Sequence, residues 1–129
     1  MSAAGASVVG LGQVSLLIRD VARATRFYGG TLGLRHLYTF GDLVFFQAGE
    51  TRLYLQRRDE ADWRPGSILY FEVEDIHVAQ AALVAAGVAF EGEAHVIHRH
   101  DDGVEEWMAF FDDGEGNTLA LMSRVASAP

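Results

Sequence analysis

The chain has 129 residues, half of them hydrophobic, a formal charge of −8 at pH 7 and no cysteine. That length suits one domain or two small modules sharing a core, and the missing thiols exclude a disulfide scaffold, a thiolate metal site and a cysteine nucleophile. The acidic balance opposes a phosphate backbone, and no apolar run is long enough to span a bilayer, so neither nucleic acid nor a membrane is expected as a partner.

Residues 1–10 are small, polar and without period, and they lack the basic start and apolar centre of a secretion signal. They read as a flexible tail on a cytoplasmic protein. From Leu11 to Ile18 the residues alternate, with Val14, Leu16 and Ile18 on one face and Gln13, Ser15 and Leu17 on the other, the period of a half-buried strand. Asp20 is placed to cap a helix carrying Val21, Ala24, Tyr28 and Leu32, which Gly29, Gly30 and Gly33 should end. Leu34 to Phe40, Leu43 to Ala48 and Arg52 to Gln56 then read as strands joined by turns at Gly41-Asp42 and Gly49-Glu50.

Residues 58–66 are charged, hold Pro65 and show no period, so they form the connector. Beyond it the pattern returns. Ser67 to Val73 is a strand, Asp75 caps a helix carrying Ile76, Ala79, Leu83 and Ala86, and Gly87 closes it. Val88 to Arg99, interrupted at Gly92, Glu105 to Asp112 and Thr118 to Ser123 supply the remaining strands. Leu17 to Val21 before one helix is echoed by Phe71 to Ile76 before the other, and Phe45-Phe46 with its Gly-Glu turn by Phe110-Phe111 with its own. The chain is therefore a duplication of a β-α-β-β-β module. It divides into a tail (1–10), one domain (11–124) made of module 1 (11–57), a linker (58–66) and module 2 (67–124), and a second tail (125–129).

Alternation predicts an apolar face packed under the helices and an opposite face carrying Gln13, Arg52, Tyr54, Ile68, Tyr70, Glu72, Ala120 and Met122. A sheet covered on one side and bearing aromatic, amide and charged groups on the other could curl around a small ligand. Arg52 and Glu72 could pair across such a cup, or point to solvent if the alternation slips by one. Trp107 would either stack on a flat ligand or fill the core.

The run Val14 to Asp20 leading into Phe27-Tyr28 and Leu32-Gly33-Leu34, the turn Asp113-Gly114-Glu115-Gly116-Asn117 and the duplication together resemble the vicinal oxygen chelate superfamily of glyoxalase I, extradiol dioxygenases and bleomycin resistance proteins. The resemblance covers Leu11 to Ser123 and implies an α+β fold whose two βαβββ modules form a cupped, mixed β-sheet, commonly in a homodimer. In that superfamily a divalent metal is normally held by His and Glu at four places, which fall here on Gln13, Tyr54, Ile68 and Ala120. None is a His or a carboxylate, so no metal or other cofactor is expected. The resemblance then points to metal-free members that bind aromatic or amphipathic small molecules.

Catalysis is the competing expectation. His95 lies opposite the strand carrying Glu106, and with that carboxylate or with Tyr54 it could move protons near neutral pH in a lyase, isomerase or dioxygenase-like enzyme. His98 and His100 would share a face from which His95 is excluded, unless a bulge brought all three into a replacement metal site.

Overall fold

The computed structural model describes residues 5–126; the outermost parts of both predicted tails, 1–4 and 127–129, lie outside the described residues. In chain order the elements are β1 (Gln13–Ile18), α1 (Val21–Thr25) running into a π-helical segment (Arg26–Thr31), β2 (Arg35–Phe40), β3 (Leu43–Ala48), β4 (Thr51–Arg57), β5 (Leu69–Glu72), α2 (Ile76–Ala85), β6 (His95–Arg99), β7 (Glu105–Asp112) and β8 (Thr118–Val125). They form two four-stranded sheets, ordered β1-β4-β3-β2 and β5-β8-β7-β6. The same order in both sheets is the duplication in three dimensions. In each, the first strand runs parallel to the fourth and the other pairs are antiparallel.

Both helices start where a carboxylate can satisfy their free amides. Asp20 accepts from the Arg23 N–H at 2.8 Å, and Asp75 accepts from the His77 and Val78 N–H groups at 3.0 and 3.1 Å. The first helix departs from the expected continuous α-helix. The Leu32 N–H reaches back five residues to the Phe27 carbonyl at 2.8 Å, so Gly29 and Gly30 sit inside a widened turn instead of ending the helix. The capping aspartates are 55 positions apart (75 − 20) and the closing positive-φ glycines, Gly33 and Gly87, are 54 apart (87 − 33). The π segment is thus one residue inserted into the first copy. Another irregularity is duplicated: β2 bulges between His36 and Tyr38, and β6 between Val96 and His98. The long strand expected from Val88 to Arg99 is reduced by Gly92 to β6 and a single bridge between Phe90 and Phe111.

One apolar core joins the two modules. Leu16, Ile18, Val44, Phe46, Leu53 and Leu55 of the first sheet share it with Ala109, Phe111, Leu119 and Leu121 of the second, and Ala24, Tyr28, Ile76 and Leu83 of the helices complete it. Each fully buried Leu, Ile or Phe contributes roughly 1.5–3 kcal/mol relative to exposure. The Phe27 ring, from the first module's helix, lies 6.4 Å from the Phe111 ring of β7. Because the helix-bearing faces share one core, the opposite faces of the two sheets look outward. The expected α+β fold of two βαβββ modules is present, and the outward faces of its two sheets lie on opposite sides of the shared core.

The turn between β7 and β8 fastens the modules. Glu115, only 3% exposed, accepts from the Arg19 and Asp20 backbone N–H groups and pairs with the Arg23 guanidinium at 3.3 Å. Tyr28 donates its hydroxyl to Asp113 at 2.7 Å, and the Asn117 amide donates to the Leu17 carbonyl at 2.9 Å. Trp63 of the linker donates its indole N–H to the same carbonyl at 2.9 Å and lies beneath the Arg19 guanidinium, 3.7 Å from its ring. Among the described residues no helix is long and apolar enough to cross a membrane.

Candidate functional site

The outward face of the first sheet is built by the in-register pairs Gln13 with Arg52 and Ser15 with Tyr54, continued across β3 by Phe45 beside Tyr54 and across β2 by Tyr38 beside Phe45. Tyr38 stacks on Phe45 at 4.4 Å, and Phe45 lies 5.0 Å from Tyr54. Arg52 caps the group, its guanidinium carbon 5.3 Å from the Phe45 ring. The outward face of the second sheet carries Tyr70 beside Ala120, then Phe110, with Met122 beside Met108 in the next row. Tyr70 meets Phe110 edge to face at 5.9 Å. Tyr38 (47%), Phe40 (74%), Ile68 (40%) and Tyr70 (46%) are far more exposed than aromatic and branched residues in a settled core, so both faces are unfinished surfaces.

Seven of the eight residues predicted to bind ligand thus lie on these faces: Gln13, Arg52 and Tyr54 on one sheet, Ile68, Tyr70, Ala120 and Met122 at the other. The chain does not bring the two sets together, because the shared core stands between them. Trp107 is the exception. It pairs in register with Val96 and Ser123 on the helix-bearing face, meets the His77 ring of α2 edge to face at 4.9 Å and donates its indole N–H to Glu105. Arg52 donates to the Gln13 amide oxygen at 2.6 Å, and the pairing with Glu72 expected across a cup is not made. Tyr38, Phe45 and Phe110 were missed. Alternation within β3 and β7 carried the signal for Phe45 and Phe110, while the β2 bulge hid Tyr38.

The four superfamily metal positions do not fit a divalent ion. Gln13 offers an amide oxygen already engaged by a guanidinium, Tyr54 a phenol, and Ile68 and Ala120 no donor at all. Among the described residues no group of three or more His, Asp or Glu side chains could hold a metal.

The histidines are arranged differently from their sequence pattern. The β6 bulge puts His95 opposite Met108 and His98 opposite Glu106, so both share the outward face. The His95 ring bonds the Glu93 carbonyl at 3.1 Å and does not meet Glu106. Glu106 instead contacts the His100 ring at 2.6 Å, and His100 lies edge-on to His98 at 4.5 Å. That hydrogen bond holds the Glu106 carboxyl below the ordinary carboxylate range, against partial desolvation.

Two four-stranded mixed sheets from repeated βαβββ units, with unfinished faces away from the helices, define a paired-module α+β protein. The family model of the Glyoxalase/Bleomycin resistance protein/Dioxygenase superfamily matches residues 10–121, and the chain belongs to that superfamily. The fold is also that of lactoylglutathione lyase from Agrobacterium tumefaciens (21% identity, 91% of this chain and 95% of that one, TM-score 0.71). A superfamily member from Sphaerobacter thermophilus (20%, 90% and 98%, 0.71) and an integron cassette protein from the mobile metagenome of V. cholerae (18%, 91% and 96%, 0.72) share it too. No curated relative matches the chain.

Proposed function

We propose that this protein is a metal-independent, cytoplasmic binder of small aromatic or amphipathic molecules, holding its ligand between the outward face of one copy's first sheet and that of a second copy's second sheet. The observation that carries this reading is the set Gln13, Tyr54, Ile68 and Ala120 at the superfamily's metal positions, with Arg52 donating to the amide of Gln13. A guanidinium in hydrogen-bond contact with that oxygen repels a divalent cation and favours a polar or anionic ligand group. Around it, Tyr38, Phe45 and Tyr54 supply flat apolar area. Phe110, Tyr70 and Met122 do the same on the complementary half. Sequestration without conversion is the expected activity.

The test is titration calorimetry of the purified protein against small aromatic metabolites, with the ligand recovered and weighed by mass spectrometry. Saturable binding is expected, with recovery of an unchanged ligand and an affinity at least tenfold lower in Tyr54→Ala. One equivalent of tightly held nickel, zinc, manganese or iron by elemental analysis would sink the metal-independent reading.

Acid–base catalysis is a second reading, favoured by the contact between Glu106 and His100. It moves the proton-carrying pair from His95 to His100, with His98 beside it. Turnover of a bound ligand that collapses in Glu106→Gln would establish it over sequestration.

A further inference from the structure

A cavity of about 600 Å³ lies at the open edge of β5, between the β3–β4 turn, the exit of the π segment and α2, and it touches the outward faces only through Tyr70 and Glu72. The duplication shows what should fill it. Its counterpart in the first copy, between the β7–β8 turn, the exit of α2 and the first helix, holds only about 260 Å³, with Phe27 at its wall and packed against the core. Carried across by the 55-position offset of the capping aspartates, Phe27 becomes Ala82 and Tyr28 becomes Leu83. The space is a missing ring.

The polar groups correspond as well. Leu17 turns its carbonyl off the open edge of β1, where the Trp63 indole and the Asn117 amide both donate to it. Glu72 is the equivalent residue of β5, whose pairing is with β8 alone; the Val73 N–H bonds Met122, so the Glu72 carbonyl points off the open edge. Among the described residues nothing donates to it. Glu72 is exposed, so its carbonyl at the rim of the cavity is free to accept a hydrogen bond from a ligand.

Charge decides the kind of donor. At the start of the first helix stand Arg19 and Arg23, whose equivalents in the second copy are Glu74 and Val78. No Lys or Arg lines the cavity, whereas Glu72 does, and Glu74 and Asp75 follow it. We propose that this cavity is a second ligand site, taking a small aromatic ammonium compound. The ring occupies the place of the missing Phe27 equivalent against Leu34, Ala79 and Leu83, and the ammonium donates to the Glu72 carbonyl.

The probes are tryptamine and indole-3-acetate, which share a ring and differ in charge, titrated into the isotope-labelled full chain and followed by amide chemical shifts. Tryptamine is expected to bind at one per chain, shifting Thr51, Ala79 and Ala82 while leaving Tyr54 and Ala120 still, and indole-3-acetate to bind at least tenfold more weakly. Ala82→Phe restores the residue present in the other copy and is expected to weaken tryptamine at least tenfold. Glu72→Lys, at an exposed position, is expected to abolish the preference for the cation, and it keeps the test decisive should Ala82→Phe fail to fold. Absence of tryptamine binding, including through a second copy covering the cavity, equal binding of the two probes, a shift map centred on the outward faces, or unchanged selectivity in Glu72→Lys would each overturn the proposal.

Discussion

Tyr28 ties the two modules together at a single oxygen. Burial first, and then the neighbouring Asp113 carboxylate, push its phenol far above the ordinary tyrosine value of 10.0. A raised value in the folded state means the contribution is complete below pH 10 and is lost as pH rises, because the unfolded chain ionises there and the folded one resists. Stability should therefore fall more steeply between pH 9 and 11 in the native protein than in Tyr28→Phe. At pH 7 the same variant should lose about 1.5–3 kcal/mol, the usual worth of a hydrogen bond to a charged acceptor. Urea unfolding at the three pH values measures both. Sequence reading identified Tyr28 as a helix residue of the core but gave no hint of Asp113, Glu115 and Asn117 as buried groups. Asp, Glu, Asn and Gly in succession are ordinary turn chemistry, and only the partner module makes them interior.

Among elements, the strands and the helix starts were legible, because alternation and the capping aspartates are local signals. The π segment was not: a Gly-Gly pair reads as the end of a helix, whereas here the Phe46 ring, 3.1 Å from where a Gly29 Cβ would stand, leaves little room for a side chain inside the turn. The β6 bulge was equally hidden, since Val96, Ile97 and His98 alternate no differently from a regular strand, and it is the bulge that redirected Glu106 from His95 to His100. The facing of Trp107, the third residue of β7, was open for a related reason: the face a strand residue takes is settled by its cross-strand neighbours, here Val96 and Ser123. The β7–β8 turn offers a test at this scale. Gly116 has φ +104°, and a Cβ there would come within 2.9 Å of Trp63 Cη2. Gly116→Ala is expected to cost about 1–3 kcal/mol and to shift Trp63 emission by lifting the turn off the linker. A thermal melt followed by fluorescence reads both at once.

For the whole molecule, the fold class and the duplication were readable, but the disposition of the modules was not, because it depends on contacts among residues far apart in sequence. The outcome is that one chain carries two unfinished faces on opposite sides of its core. If a ligand is clasped between halves from separate copies, its capture is a third-party stabiliser of association, and mass action couples the two events. Apparent affinity should then rise with the concentration of the protein itself, and sedimentation should show ligand shifting the population from a 14.1 kDa species towards one of twice that mass. Such a protein would hold its cargo where it is abundant and surrender it on dilution, so that the level of its own synthesis sets the threshold at which it begins to work.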